Sequence, residues 1–168
     1  MADSIITRGL TQLGELLGQV TPDDLARPTP CEGWTVADLS DHIVNSVAGM
    51  VTMAAGGEPD WSDATHHPDP VAALAQEGPA LEAAIAASNG QFPEGMAAAE
   101  LAGHAYDLAV ALGRATTELD PEVAEAGYAF MRASLADEMR GKAFGPAQPA
   151  PADADAYQRL AAFAGRSV

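Results

Sequence analysis

The sequence predicts an all-α fold, a single bundle of helices spanning residues 1–168, and three features carry that expectation. Apolar residues recur at spacings of three and four along several stretches, which lines one face of a helix. Helix-start signals repeat: Thr35 with Asp38, Asp69-Pro70, and Asp120-Pro121. No stretch gives a competing strand signal.

Each element follows from local chemistry. From Ser4 to Val20, Ile6, Leu10, Leu13, Leu17 and Val20 form the stripe of a first helix. Thr21-Pro22-Asp23-Asp24 is a turn, and the prolines and glycine between Arg27 and Gly33 keep that stretch irregular up to Trp34. Thr35 then caps a second helix, with Asp38 completing a capping box and Trp34 placed to staple against Leu39. Val36, Leu39, Ile43, Val47 and Met50 continue its stripe until Gly56-Gly57. A polar loop from Glu58 to Pro68 carries Trp61, His66 and His67, and its charged surroundings favour solvated histidines over ligands. A third helix runs from Pro70 to about Ser88, and Gly78-Pro79 should kink or split it. After Asn89-Gly90 and Pro93-Glu94-Gly95, Met96 to about Gly113 reads as a fourth helix. Asp120-Pro121 opens a fifth, carrying Tyr128, Met131 and Leu135 before Gly141. The proline-rich tail from Phe144 to Pro151 should be extended, and Tyr157 to Phe163 forms a last short helix ending at Gly165.

Composition removes several function classes. A formal charge of -16 with eight Lys and Arg argues against nucleic acid and anionic membranes, because phosphate binding depends on cationic side chains displacing counterions. Apolar runs fall short of the roughly 18 residues a membrane span needs. Met1-Ala2-Asp3-Ser4 has no basic, then apolar, export pattern, so the expected compartment is the cytoplasm. Cys31 is the single cysteine, which rules out an internal disulfide and a cysteine-rich zinc site. Beside a proline, it reads as a packed residue before it reads as a nucleophile. Gly-rich phosphate loops, nucleophile elbows and the His-Glu-x-x-His zinc motif are absent.

One constellation carries chemistry. Glu100 and His104 lie four residues apart, one turn apart on one face of the fourth helix, and can share an ion. Asp107 continues that polar stripe, beside the core stripe of Leu101, Ala105, Leu108 and Leu112. His42 flanks the core stripe of the second helix, so two helices can aim ligands at one point. Two imidazoles and a carboxylate suit Zn first, then Ni or Fe(II), and three protein ligands leave a position open. Asp107 is expected to orient His104 rather than to bind. The plain alternative is that Glu-x-x-x-His is a common helical pair and that His42 is a packing residue.

Pro28-Thr29-Pro30-Cys31-Glu32-Gly33-Trp34-Thr35-Val36, followed by Asp38-Leu39 and His42, resembles the signature of actinobacterial proteins related to mycothiol-dependent maleylpyruvate isomerase, within the DinB-like superfamily. Glu100-Leu101, His104 and Asp107-Leu108-Ala109 resemble its second signature. Phe144-Gly145-Pro146 through Pro149, Pro151-Ala152-Asp153, Arg159-Leu160 and Gly165-Arg166 resemble the ending of its short members. The resemblance implies a DinB-like four-helix-bundle core with a divalent metal on His42, Glu100 and His104. The resembled isomerase has a further C-terminal domain that helps form its substrate and thiol site, so its activity does not carry over. His104-Ala105-Tyr106-Asp107 also departs from the family's usual His-Gly-Trp-Asp, which implies a differently shaped pocket.

The leading expectation is therefore a metal-dependent transferase or isomerase of small molecules, using a small thiol of the mycothiol type. Two alternatives stand beside it: metal-assisted hydrolysis or a tailoring reaction without a thiol, and a non-catalytic ligand- or metal-binding module, as a homodimer.

Overall fold

The computed structural model describes residues 3–141 and 144–168; Met1 and Ala2, read above for an export signal, lie outside the described residues. Its elements are α1 (Ile5–Leu17), α2 (Val36–Ala54), α3 (Pro70–Ala87), α4 (Glu94–Ala111), α5 (Pro121–Ser134) and α6 (Ala156–Phe163). Short 3₁₀ turns stand at Thr116–Glu118 and Asp137–Met139, and among the described residues there is no β-strand. The fold is the all-α bundle expected from the sequence. α1 packs on α3 and α4, and α2 packs on the same two, which closes a four-helix ring in the order α1–α3–α2–α4. α5 lies outside the ring against α4 and α1, and α6 lies against α5 and α4.

α4 is consequently the interior helix, touched by α1, α2, α5 and α6. Every residue from Leu101 to Ala109 is buried. The expected division into a core stripe and a bordering polar stripe gives way to burial all round, because neighbours cover both faces. Its small residues make this possible: Gly127 of α5 rests on the α4 backbone, where an added Cβ would stand 2.6 Å from the Ala99 Cα.

Local signals explain most helix ends. Ser4 caps α1, and both halves of the Thr35–Asp38 capping box are formed. Four departures have physical causes. α1 ends at Leu17, short of Val20, where the Gly18 cap closes the last turn onto Gly14 and Leu16. α3 runs unbroken through Pro79, since Leu74, Gly78, Leu81 and Ile85 form one buried stripe across the proline. Continuous packing of that face on α1 and α2 outweighs the cost of roughly 3 kcal/mol for an interior proline. α4 begins at Glu94 instead of Met96, with Pro93 at the cap and Glu94 facing the positive end of the helix dipole. α5 stops at Ser134, one residue before Leu135, and the following chain is drawn toward α6 by Arg140. That guanidinium donates to the carbonyls of Gly145 and Phe163, 2.8 Å each, and lies over the Phe163 ring.

α6 opens with an Asp155–Gln158 capping box one residue ahead of the expected start, and closes as expected at Gly165. Gly165 N–H bonds to Ala162 O and Arg166 N–H to Ala161 O, the paired bonds of a Schellman motif. Gly165 has φ +99°, and a Cβ there would lie 2.8 Å from the Gly145 backbone. Glycine is required twice over. A closed set of bonds ties α6 to the ring: Gln12 Nε2 donates to the Tyr157 hydroxyl, which donates to Asp120 O, while Asp120 N–H donates to Gln12 Oε1.

Gly165→Ala should therefore cost about 1–3 kcal/mol of stability, the usual range for strained backbone. Urea unfolding measures it, and an unchanged midpoint would show that the α6 cap tolerates a side chain.

Candidate metal centre

Thr35 and its capping box fix the start of α2, which sets the register that brings His42 to the α2–α4 seam. Glu100 and His104 meet it from α4. His42 Nε2 lies 3.3 Å from Glu100 Oε1 and 3.1 Å from His104 Nε2, and His104 Nε2 lies 3.1 Å from Glu100 Oε1. Three potential ligand atoms thus form a nearly equilateral triangle. An ion with bonds of about 2.0–2.1 Å separates tetrahedral ligands by about 3.3–3.4 Å and octahedral ones by about 2.9 Å, and the triangle falls between these values.

The chemistry of the donors fits a cation. Asp107 is ionised and can only accept, so His104 Nδ1 donates to its Oδ2 at 3.1 Å. In a neutral ring that leaves a lone pair on His104 Nε2, facing the lone pairs of Glu100. His42 Nε2 can bring at most one proton to three mutually adjacent atoms. Burial opposes charge on both groups, but the neighbouring imidazoles hold the Glu100 carboxyl well below its ordinary range. Likewise, burial disfavours a charged His104, yet Glu100 and the bond to Asp107 raise it well above the ordinary imidazole value.

Beneath the triangle lies Asp107, with no exposed side-chain surface. Arg166 donates from Nε to Oδ1 and from Nη2 to Oδ2, both at 2.7 Å, and Cys31 Sγ donates to Oδ2 at 3.1 Å. Burial alone would raise this carboxyl; Arg166 and His104 reverse that and bring it down to about 2. Cys31, His104 and Asp107 are a second group spaced closely enough to hold an ion. Each of its contacts to Asp107 is already a donor–acceptor bond, and Arg166 supplies the positive charge. Among the described residues, no arginine or lysine pairs with Glu100 in the triangle of His42, Glu100 and His104.

Trp34 covers the imidazoles, its ring centroid 4.5 Å from that of His42 and 6.5 Å from that of His104. The side chains of His42 and Glu100 keep 27% and 29% of their exposure, against 10% for His104, so their flank is the accessible one. His66 and His67 stand apart from the triangle: His66 Nδ1 and His67 N–H bond to Asp41, and His67 Nε2 to Asn45, tying their loop along α2. Two clefts of the surface, one beside Arg8 and Arg114 and one between α1 and α3, are lined by none of the ligand residues.

Sequence reasoning brought His42, Glu100, His104 and Asp107 to one region but did not anticipate Arg166. Gly165-Arg166 carried the resemblance to the ending of the family's short members, but Arg166 is 59 positions from its partner and nothing in that pattern points to Asp107. Cys31, read as a packed residue, is found half-buried and bonded to Asp107.

Residues 6–135 match the mycothiol maleylpyruvate isomerase N-terminal domain family. Two relatives, uncharacterised proteins of Mycobacterium tuberculosis strains CDC 1551 and H37Rv, are each 35% identical to this chain over 168 aligned positions, covering 91% of the chain and 91% of the relative. No solved structure matches. Among the described residues, no helix is long and apolar enough to cross a membrane.

The depressed Asp107 carboxyl stabilises the fold above its unfolded value near 3.8, and this contribution is lost as the pH falls through about 2. Acid unfolding should therefore show a loss of about 2 kcal/mol between roughly pH 4 and pH 2. Asp107→Asn should flatten that segment of the stability curve; an identical pH dependence in the variant would assign the loss to other carboxylates.

Proposed function

The chain belongs to the mycothiol maleylpyruvate isomerase N-terminal domain family, and we propose that it is a divalent-metal protein that activates a small thiol for transfer to, or isomerisation of, a small electrophile. The observation that carries this reading is the triangle of His42 Nε2, Glu100 Oε1 and His104 Nε2, open on the His42 and Glu100 flank.

His42, Glu100 and His104 would hold the ion, with zinc the first choice for two imidazoles and a carboxylate. When bound, it would supply positive charge that favours a thiol in its deprotonated, nucleophilic form. The chain's own residues then have separate tasks. Asp107 holds His104 with Nδ1 protonated, which directs the Nε2 lone pair toward Glu100 and His42. Trp34 packs against both imidazoles, limiting their rotation and keeping water from that side. Glu100 contributes the negative charge that a divalent cation needs. Because three ligands converge among the described residues, a bound ion would have a position open to a thiol or substrate. A thiol of the mycothiol type is the choice that the family supports. The same triangle would serve metal-assisted hydrolysis, and turnover without added thiol would favour that chemistry instead.

Two measurements test the reading. Metal analysis of protein purified with zinc should give close to one equivalent for the wild type and a large loss for His104→Ala and His42→Ala; equal loading in all three would remove the site. Metal affinity should also fall as the pH drops, since imidazole ligands bind an ion only in their deprotonated form. In thermal unfolding of the zinc-loaded protein, mycothiol at about a hundredfold over its Kd should add about 2.7 kcal/mol. Absence of any thiol-specific shift would speak for chemistry or binding without a thiol.

A further inference from the structure

We propose that Arg166 is a positioning residue for the metal centre, acting through Asp107 to fix the orientation of His104. The inference rests on the metal-binding reading above. It adds that the site depends on Arg166, which lies outside the segment 6–135 that matches the family.

The geometry is directional. Asp107 Oδ1 receives its hydrogen bond from Arg166 Nε, while Oδ2 receives Arg166 Nη2, Cys31 Sγ and His104 Nδ1. The two parallel bonds from one planar guanidinium fix the plane of the carboxylate. Fixing that plane fixes where Oδ2 stands, and Oδ2 is the acceptor that sets the direction of the His104 ring. Without Arg166, Oδ1 would lose its donor, and the carboxylate could rotate to seek another. His104 would then lose the acceptor that aims Nε2 at the ion.

Arg166 is itself held from several sides. Its N–H closes the Schellman motif on Ala161 O, and the preceding Gly165 takes the positive φ that turns the chain inward. Arg140 braces the same segment through Gly145 O and Phe163 O. The guanidinium is largely buried, with 13% of its side chain exposed, so this ion pair is not a screened surface contact. Lysine could supply the charge there but not the paired bonds.

Cobalt(II) serves as the probe ion, its affinity read by competition with a chelator and its geometry by visible absorption. Arg166→Met should weaken cobalt binding about 10–100-fold, the usual effect of removing an outer hydrogen-bond partner, and alter the absorption bands. Arg166→Lys should restore folding while recovering only part of the affinity. In an Asp107→Asn background, Arg166→Met should add little further loss, because the route through Asp107 is already cut; this pair also removes the buried carboxylate that could unfold the single variant. Urea unfolding run in parallel separates a loss of stability from a loss of the site. Wild-type affinity and spectrum in folded Arg166→Lys and in Arg166→Met would overturn the proposal, as would full additivity in the double variant. Failure of the wild type itself to bind cobalt or zinc would instead remove the metal-binding reading, and this inference with it.

Discussion

A carboxylate taken wholly out of water costs several kcal/mol unless donors replace its hydration, and Asp107 has no exposed side-chain surface. Its donors come from three distant parts of the chain: Cys31 in the loop before α2, His104 one turn earlier on α4, and Arg166 after α6. Each must be in place for the charge to be tolerated at the centre of the bundle. The loop, the interior helix and the tail are thereby placed together by one side chain. Cys31 is a weak donor, so most of the compensation falls to Arg166, whose burial is in turn acceptable only because Asp107 faces it.

That arrangement explains why α4 can be both the interior helix and the carrier of the site. A helix buried on all sides needs small residues where neighbours approach, and alanine at 97, 98, 102, 105 and 109 supplies them without loss of helix propensity. Against such a background, the polar groups of α4 must be satisfied locally or through the seam with α2. Glu100 and His104 do this with His42, and His104 with Asp107, so the polar residues form one connected path from the accessible flank to the tail.

Much of this was legible in the sequence because it is local. Capping at Thr35–Asp38 and the proline at the first position of α3 and α5 set helix starts within a few residues, and the spacing of Glu100 and His104 fixed their shared face. The stripe of α2 allowed His42 to meet that pair, and the resemblance strengthened the choice, since spacing within one helix says nothing about which neighbour approaches it. What stayed hidden was decided by tertiary contact. Pro79 reads as a break until the stripe from Leu74 to Ile85 is seen packed on α1 and α2. Asp107 reads as a border residue until α6 is seen closing over it. Arg166 stood out in the sequence only as part of the Gly165-Arg166 resemblance, and its role exists only once α6 lies against α4.

Charge at the centre bears on what its open flank would accept. Glu100 and Asp107 each contribute one negative charge and Arg166 one positive, which leaves the cluster at a net of minus one when both imidazoles are neutral. A divalent ion would turn that to plus one. A bundle carrying -16 overall repels anions at long range, but screening confines this to about 8 Å at physiological ionic strength. At contact distance the local balance decides, and an anionic sulfur would neutralise the centre where a neutral ligand would leave it charged. Since Arg166 is held by Asp107 and already accounts for the inner carboxylate, the excess positive charge would be expressed on the side of His42 and Glu100, where a small molecule can reach it.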